Sequence, residues 1–154
     1  MSIFLDPNWK DAESMNLFTD ASGTLGYGAY FNGAWFRGNW RPHQRLPLRS
    51  IQWQELFAIV AAVCTWGHLL HCDNMAIVQS WSNQSTRHPG ILHLLWTLFF
   101  ITAKHSFIVC LVHLPGKLIR IADALSRNQL SLFSALAPQA NPQPTPVPPE
   151  LEDL

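Results

Sequence analysis

The chain reads as a mixed α/β domain, a single sheet with helices on its faces. Three observations support that reading. An alternating apolar–polar stretch with turn signals runs from Met15 to Trp40. A helix-length run that is apolar almost all round follows, from Ile51 to Trp66. Beyond it, helical segments flank a continuous run rich in β-branched residues, Phe107 to Leu114, with the composition of a buried strand.

Residues 1–13 are polar, carry no periodicity and contain Pro7, so a linker is expected there. The first strand ends at Asp20, and Gly23 and Gly26 punctuate the turn into a second strand, Tyr27 to Phe31. Asn32-Gly33 is a strong two-residue hairpin signal, because both positions of a type I′ turn need positive φ. The third strand, Ala34 to Trp40, completes an antiparallel meander, and Pro42 and Pro47 then interrupt regular structure.

Ser50 is placed to cap the helix from Ile51, and Gly67 to end it near Trp66. A short helix is expected over Met75 to Trp81, a longer one over Ile91 to Ala103, and a last one from Ile119 to Leu136. The folded domain therefore spans residues 14–136. Pro138, Pro142, Pro144, Pro146, Pro148 and Pro149 then predict a disordered, unpacked tail over 137–154. Trp35, Trp40, Trp53, Trp66, Trp81 and Trp96 are expected to pack in the core or at its edges rather than to stack on bases.

At 154 residues the chain suits one domain of ordinary size. Its formal net charge of +0 hides a segregation. Between Ser14 and Pro149 nine bases face four acids, a net +5, which favours a polyanionic partner. Cys64, Cys72 and Cys110 are an odd set without a CxxC pair, each within an apolar run, and read as reduced thiols of an intracellular protein. The start shows no secretory signal, and charged and polar residues interrupt the most apolar stretch before it could span a bilayer.

Those four acids are Asp20, Glu55, Asp73 and Asp123. Each sits at the end of an expected element or in the first turns of a helix. Asp20 and the helix starts can act as turn-formers and caps, whereas Glu55 stands in an apolar helix where an unpartnered carboxylate is costly. If central strands run parallel, their carboxyl ends and the adjoining helix starts converge on one sheet edge. Four carboxylates there suit Mg²⁺, and two ions about 4 Å apart are the arrangement that hydrolyses phosphodiesters.

Four motifs in order carry a resemblance to a known family. Thr19-Asp20-Ala21-Ser22, Glu55 in the helix after the third strand, Cys72-Asp73-Asn74, and His113-Leu-Pro-Gly116 leading to Ala122-Asp123-Ala-Leu-Ser-Arg127 resemble the ribonuclease H domain of retrotransposon polyproteins. The His-x-Pro-Gly loop, the Ala-Asp-Ala-Leu-Ser-Arg ending and the Pro-rich tail look most like DIRS-type, tyrosine-recombinase elements. The likeness covers roughly residues 15–130. It implies a ribonuclease H-like fold, with three antiparallel strands followed by parallel ones in a mixed sheet. It also implies hydrolysis of the RNA strand of an RNA–DNA hybrid with two Mg²⁺ or Mn²⁺ ions, beside the reverse transcriptase domain of the same polyprotein.

Carried over, Asp20, Glu55, Asp73 and Asp123 are the metal ligands, and His113 is the mobile-loop histidine that assists water activation or product release. Ser22, Gly23 and Asn74 match positions that face the RNA strand, where reading a 2′-OH separates RNA from DNA. A DDE-type transposase fits less well, since its last ligand is usually Glu and it lacks an early helix-borne one.

Two features depart from the family pattern. Ile119 stands where relatives carry an Asn, and the connection from Glu55 to Asp73 is short. The helix carries the chain roughly 16 Å away from Glu55 by Trp66, at about 1.5 Å per residue. With layers about 10 Å apart, the return path is about 19 Å, and six extended steps to Asp73 cover about 20 Å. Closure is possible without slack, so the fourth strand is expected to be shortened to His68 to Cys72, or the helix to end early. The rival expectation is a truncated, inactive remnant that at most binds nucleic acid.

Overall fold

The computed structural model describes residues 2–4, 17–67, 89–104, 110–112 and 120–154. Its strands are β1 (Ser2–Phe4), β2 (Leu17–Ala21), β3 (Gly26–Phe31), β4 (Ala34–Asn39) and β5 (Cys110–Val112). Its α-helices are α1 (Ile51–Trp66), α2 (Pro89–Lys104), α3 (Arg120–Ser126) and α4 (Leu130–Leu136). The protein is a mixed α/β structure, as its sequence indicates.

The meander β2-β3-β4 forms where alternation and turn chemistry place it. Asn32 and Gly33 carry φ of 47° and 89°, the left-handed values that the tight hairpin demands. Alternation along β2 sends Leu17 and Ala21 to one face, where they join Ala29, Phe31 and Phe36 under α1 and α2. Phe18, Tyr30 and Trp35 point to the other face and pack with Leu125, Phe133 and Ala137. Helix α1 lies on the first face and is buried over most of its length, which its all-round apolar composition requires.

Both ends of α1 fall where the sequence puts them. The Ser50 hydroxyl accepts from Trp53 N at 3.2 Å, and Gly67 closes the helix in right-handed conformation. The last helical stretch is instead two helices. Asn128 takes φ 57°, Asn128 N donates to Leu125 O and Gln129 N to Ala124 O. These are the two bonds of a Schellman stop, so α3 ends there and α4 begins a new direction.

The sheet order is β4-β3-β2-β1-β5, and every pairing in it is antiparallel. One expectation is thereby corrected, and the parallel arrangement stays outside what the described residues show. Residues 2–4, expected within a linker, form a strand, pairing Ser2 with Phe18 and Ile3 with Leu17. Parallel strands beside the meander are not found among the described residues: β5 runs in the direction of β2, but β1 lies between them and runs oppositely. Helix α1 does not end early. The shortened strand over 68–72 and the short helix over 75–81 lie outside the described residues.

The Pro-rich tail is extended, as its composition requires, but it is packed rather than disordered. Asn141 N donates to Gly33 O at 2.8 Å and Thr145 N to Trp35 O at 2.7 Å, so the tail lies along the free edge of β4. The Trp35 indole donates to Asn141 O at 2.7 Å. A short 3-10 turn, Pro149–Asp153, then seats Leu151 at 3% exposure against the α1–α2 core. Edge coverage of this kind removes a template for unwanted strand pairing.

Candidate active site: a carboxylate pair on the α3 face

Asp20 lies one residue from the end of β2, directly across from Gly28 on β3, which lies across from Arg37 on β4. A Cβ on Gly28 would come within 2.4 Å of the Leu125 Cβ and 2.9 Å of Ser126 N. Glycine therefore lets α3 cross the sheet closely at this row. The crossing carries Asp123 and Ser126 to Asp20.

The Asp20 and Asp123 carboxyls stand close enough to act on each other's protonation. Burial, then the hydrogen bond to Asp123 and its charge, push Asp20 up to about 6 from an ordinary 3.8. Ser126 is buried, with its Oγ 3.2 Å from Asp20 Oδ2 and 2.9 Å from Asp123 O. A hydroxyl has one hydrogen, so Ser126 donates it either to Asp20 Oδ2 or to the Asp123 carbonyl. Asp123 is more open, and Arg127 Nε donates to its Oδ1 at 2.9 Å one turn along α3. An exposed pair of this kind contributes about 0.3–0.5 kcal/mol, so it orients Asp123 more than it stabilises the fold.

Two bases share this face. Arg37 stands two strand spacings from Asp20, about 10 Å, and donates from Nε to Leu125 O at 3.0 Å and from its terminal nitrogen to Asn39 at 2.8 Å. Burial lowers Arg37 from the usual arginine value, yet a guanidinium stays charged. Arg127 is the second.

Glu55 is half-buried in the first turns of α1, on the opposite face of the sheet from α3. Its neighbour Gln54 donates from Nε2 to Gly23 O at 2.8 Å and Gln44 O at 2.9 Å, which ties this end of α1 to the chain just beyond β2. Among the described residues, no three His, Cys, Asp or Glu side chains stand together as a metal-holding group. Asp73, Asn74 and His113 lie outside the described residues.

The backbone groups of Ser22 and Gly23 take part in turn hydrogen bonds. Ser22 N donates to Gly26 O, the Trp40 indole donates to Ser22 O, and Gly23 O receives Leu46 N as well as Gln54. Ser126 is the contributor that residue-by-residue reading overlooked. Its signal was present, a hydroxyl three residues after Asp123 and thus on the same side of a helix.

Trp35, Trp40, Trp53 and Trp66 are buried as expected, whereas Trp96 is 68% exposed. Cys64 is a free thiol that burial, aided by Glu150, pushes up to about 12. No described helix is long and apolar enough to cross a membrane.

No protein family, curated protein or solved structure matches the chain.

Proposed function

We propose that this domain is a ribonuclease H-type endonuclease, hydrolysing the RNA strand of RNA–DNA hybrids during retroelement reverse transcription. The observation that carries the reading is the meeting of Asp20 and Asp123, distant in sequence, in one partly buried pair that raises Asp20 to about 6. Forcing two carboxyls together is unfavourable unless a proton or a cation joins them. Paired carboxylates are also the hard oxygen donors that Mg²⁺ and Mn²⁺ prefer, so these residues fit a divalent ion.

Asp20 and Asp123 would hold the metal; the family's manner would add Glu55, which stands across the sheet from α3, and Asp73, which lies outside the described residues. Bound there, two such ions would supply Lewis-acid stabilisation of the phosphodiester and would lower the pKa of a coordinated water. The chain's own part is placement. Ser126 orients Asp20, Arg127 steadies Asp123, and Arg37 with Arg127 adds positive charge for the phosphate backbone. His113 is proposed to assist water activation or product release.

The test is cleavage of an end-labelled RNA–DNA hybrid in Mg²⁺ or Mn²⁺, wild type against Asp20→Asn. Cleavage by the wild type alone is expected. Equal rates, or cleavage by neither, would overturn the enzyme reading.

A second reading has its own observation. Beside β2, where the resemblance implies a parallel strand, runs the antiparallel β1. A remnant that binds hybrid without cutting it fits that exchange. Salt-dependent hybrid binding with no cleavage in either metal would favour the remnant.

A further inference from the structure

Helix α2 is apolar on two faces, and among the described residues only one of them is buried in a core. Ile91, Leu94, Leu95 and Leu98 are buried in the core shared with α1. On the other side Leu92, Trp96, Phe99 and Phe100 are 41%, 68%, 46% and 69% exposed. Leu92, Trp96, Phe99 and Ala103 step by four, three and four residues, the a/d spacing of a coiled-coil seam, and Phe100 flanks it. An outward helix face of a small soluble domain ordinarily carries charges. Here Lys104 is the only Asp, Glu, Lys or Arg of the helix.

We propose that α2 pairs antiparallel with α2 of a second copy of this chain. Three features favour that occupant. The seam is self-complementary in antiparallel register, with Trp96 facing the second copy's Phe99 and Leu92 its Ala103. Antiparallel pairing also holds the two Lys104 charges about 20 Å apart, whereas parallel pairing would set them side by side. The area suffices: covering these aromatics and Leu92 on both copies buries on the order of 1,000 Å², the lower bound for a specific association. A membrane surface is a poorer match, because α2 lacks the Lys/Arg-rich flank of interfacial helices.

Sedimentation velocity of the full chain across the micromolar range tests the pairing, with wild type beside Trp96→Glu and Leu92→Gln. The expected result is a reversible wild-type dimer and at least a tenfold weaker association for each variant. Circular dichroism and Tm should be unchanged, since both side chains are exposed in the single copy. Either variant that folds suffices for the comparison. Wild type that stays monomeric throughout, or variants that dimerise as tightly as wild type, would overturn the pairing. So would binding of the monomer to anionic vesicles in its place.

Discussion

Ser126 reaches Asp20 at 3.2 Å from 106 residues further along the chain, and this contact fixes α3 over the carboxyl end of β2. The same serine touches the Asp123 carbonyl, so one hydroxyl links both members of the acidic pair. The predictions below follow from that junction and from the elements that hold it.

The apo protein should lose stability as pH rises through about 6. Asp20 is raised from 3.8 to about 6 in the folded state, so it holds its proton more tightly folded than unfolded. Its contribution is fully present below 3.8 and is lost as pH passes its folded value. In EDTA, Asp20→Asn should be more stable than wild type at pH 7.5 by about 1–2 kcal/mol, allowing for partial exposure. Urea midpoints at pH 4.5 and 7.5 check this, and an advantage for Asn that grows at low pH would sink it.

Divalent cations should reverse that cost. If Asp20 and Asp123 hold Mg²⁺ or Mn²⁺, either ion raises the Tm of wild type above pH 6 by mass action, and Asp20→Asn loses the increment. A Tm indifferent to Mn²⁺ at millimolar concentrations would remove the metal from the pair.

Ser126→Ala should leave the fold intact but loosen the pair. Removing a donor to the charged form drives Asp20 higher still, and the lost hydrogen bonds cost about 1 kcal/mol. NMR titration of the Asp20 carboxyl measures the shift, and a downward move contradicts the assigned role.

Gly28→Ala should act on the site through the backbone. Its new methyl collides with Leu125 Cβ and Ser126 N, so α3 must lift from the sheet. Overpacking of this kind costs about 1–3 kcal/mol, and hybrid cleavage should fall further than stability alone explains. Full activity at a temperature where the variant is folded would refute this.

Leu151→Ala should destabilise the whole domain by about 2–4 kcal/mol, because the side chain is buried in the main core. A disordered tail would lose nothing. Urea denaturation distinguishes the two outcomes.

The acid-poor middle of the sequence singles out Asp20 and Asp123, and the resemblance implies a metal-binding role for them. Pairing them, however, needed the Asp20–Gly28–Arg37 row, since no local pattern reports that Gly28 admits a helix. Glu55 was legible as an unusual helix carboxylate, but its place across the sheet from α3 was not.

What the sequence determined alone is local: the Asn32-Gly33 hairpin, the span of α1 between Ser50 and Gly67, and the two faces of β2. Each is set by φ preference, capping or side-chain period within a few residues. Tertiary structure decided the rest. A three-residue strand such as β1 has too few residues to show a period, and its partners supply its backbone hydrogen bonds. The tail is extended by its prolines, yet its place is set by the Gly33 and Trp35 carbonyls and by the core around Leu151. Burial likewise separates Trp96 from the other described tryptophans, because the same apolar ring is core or surface according to which helix face the sheet leaves open.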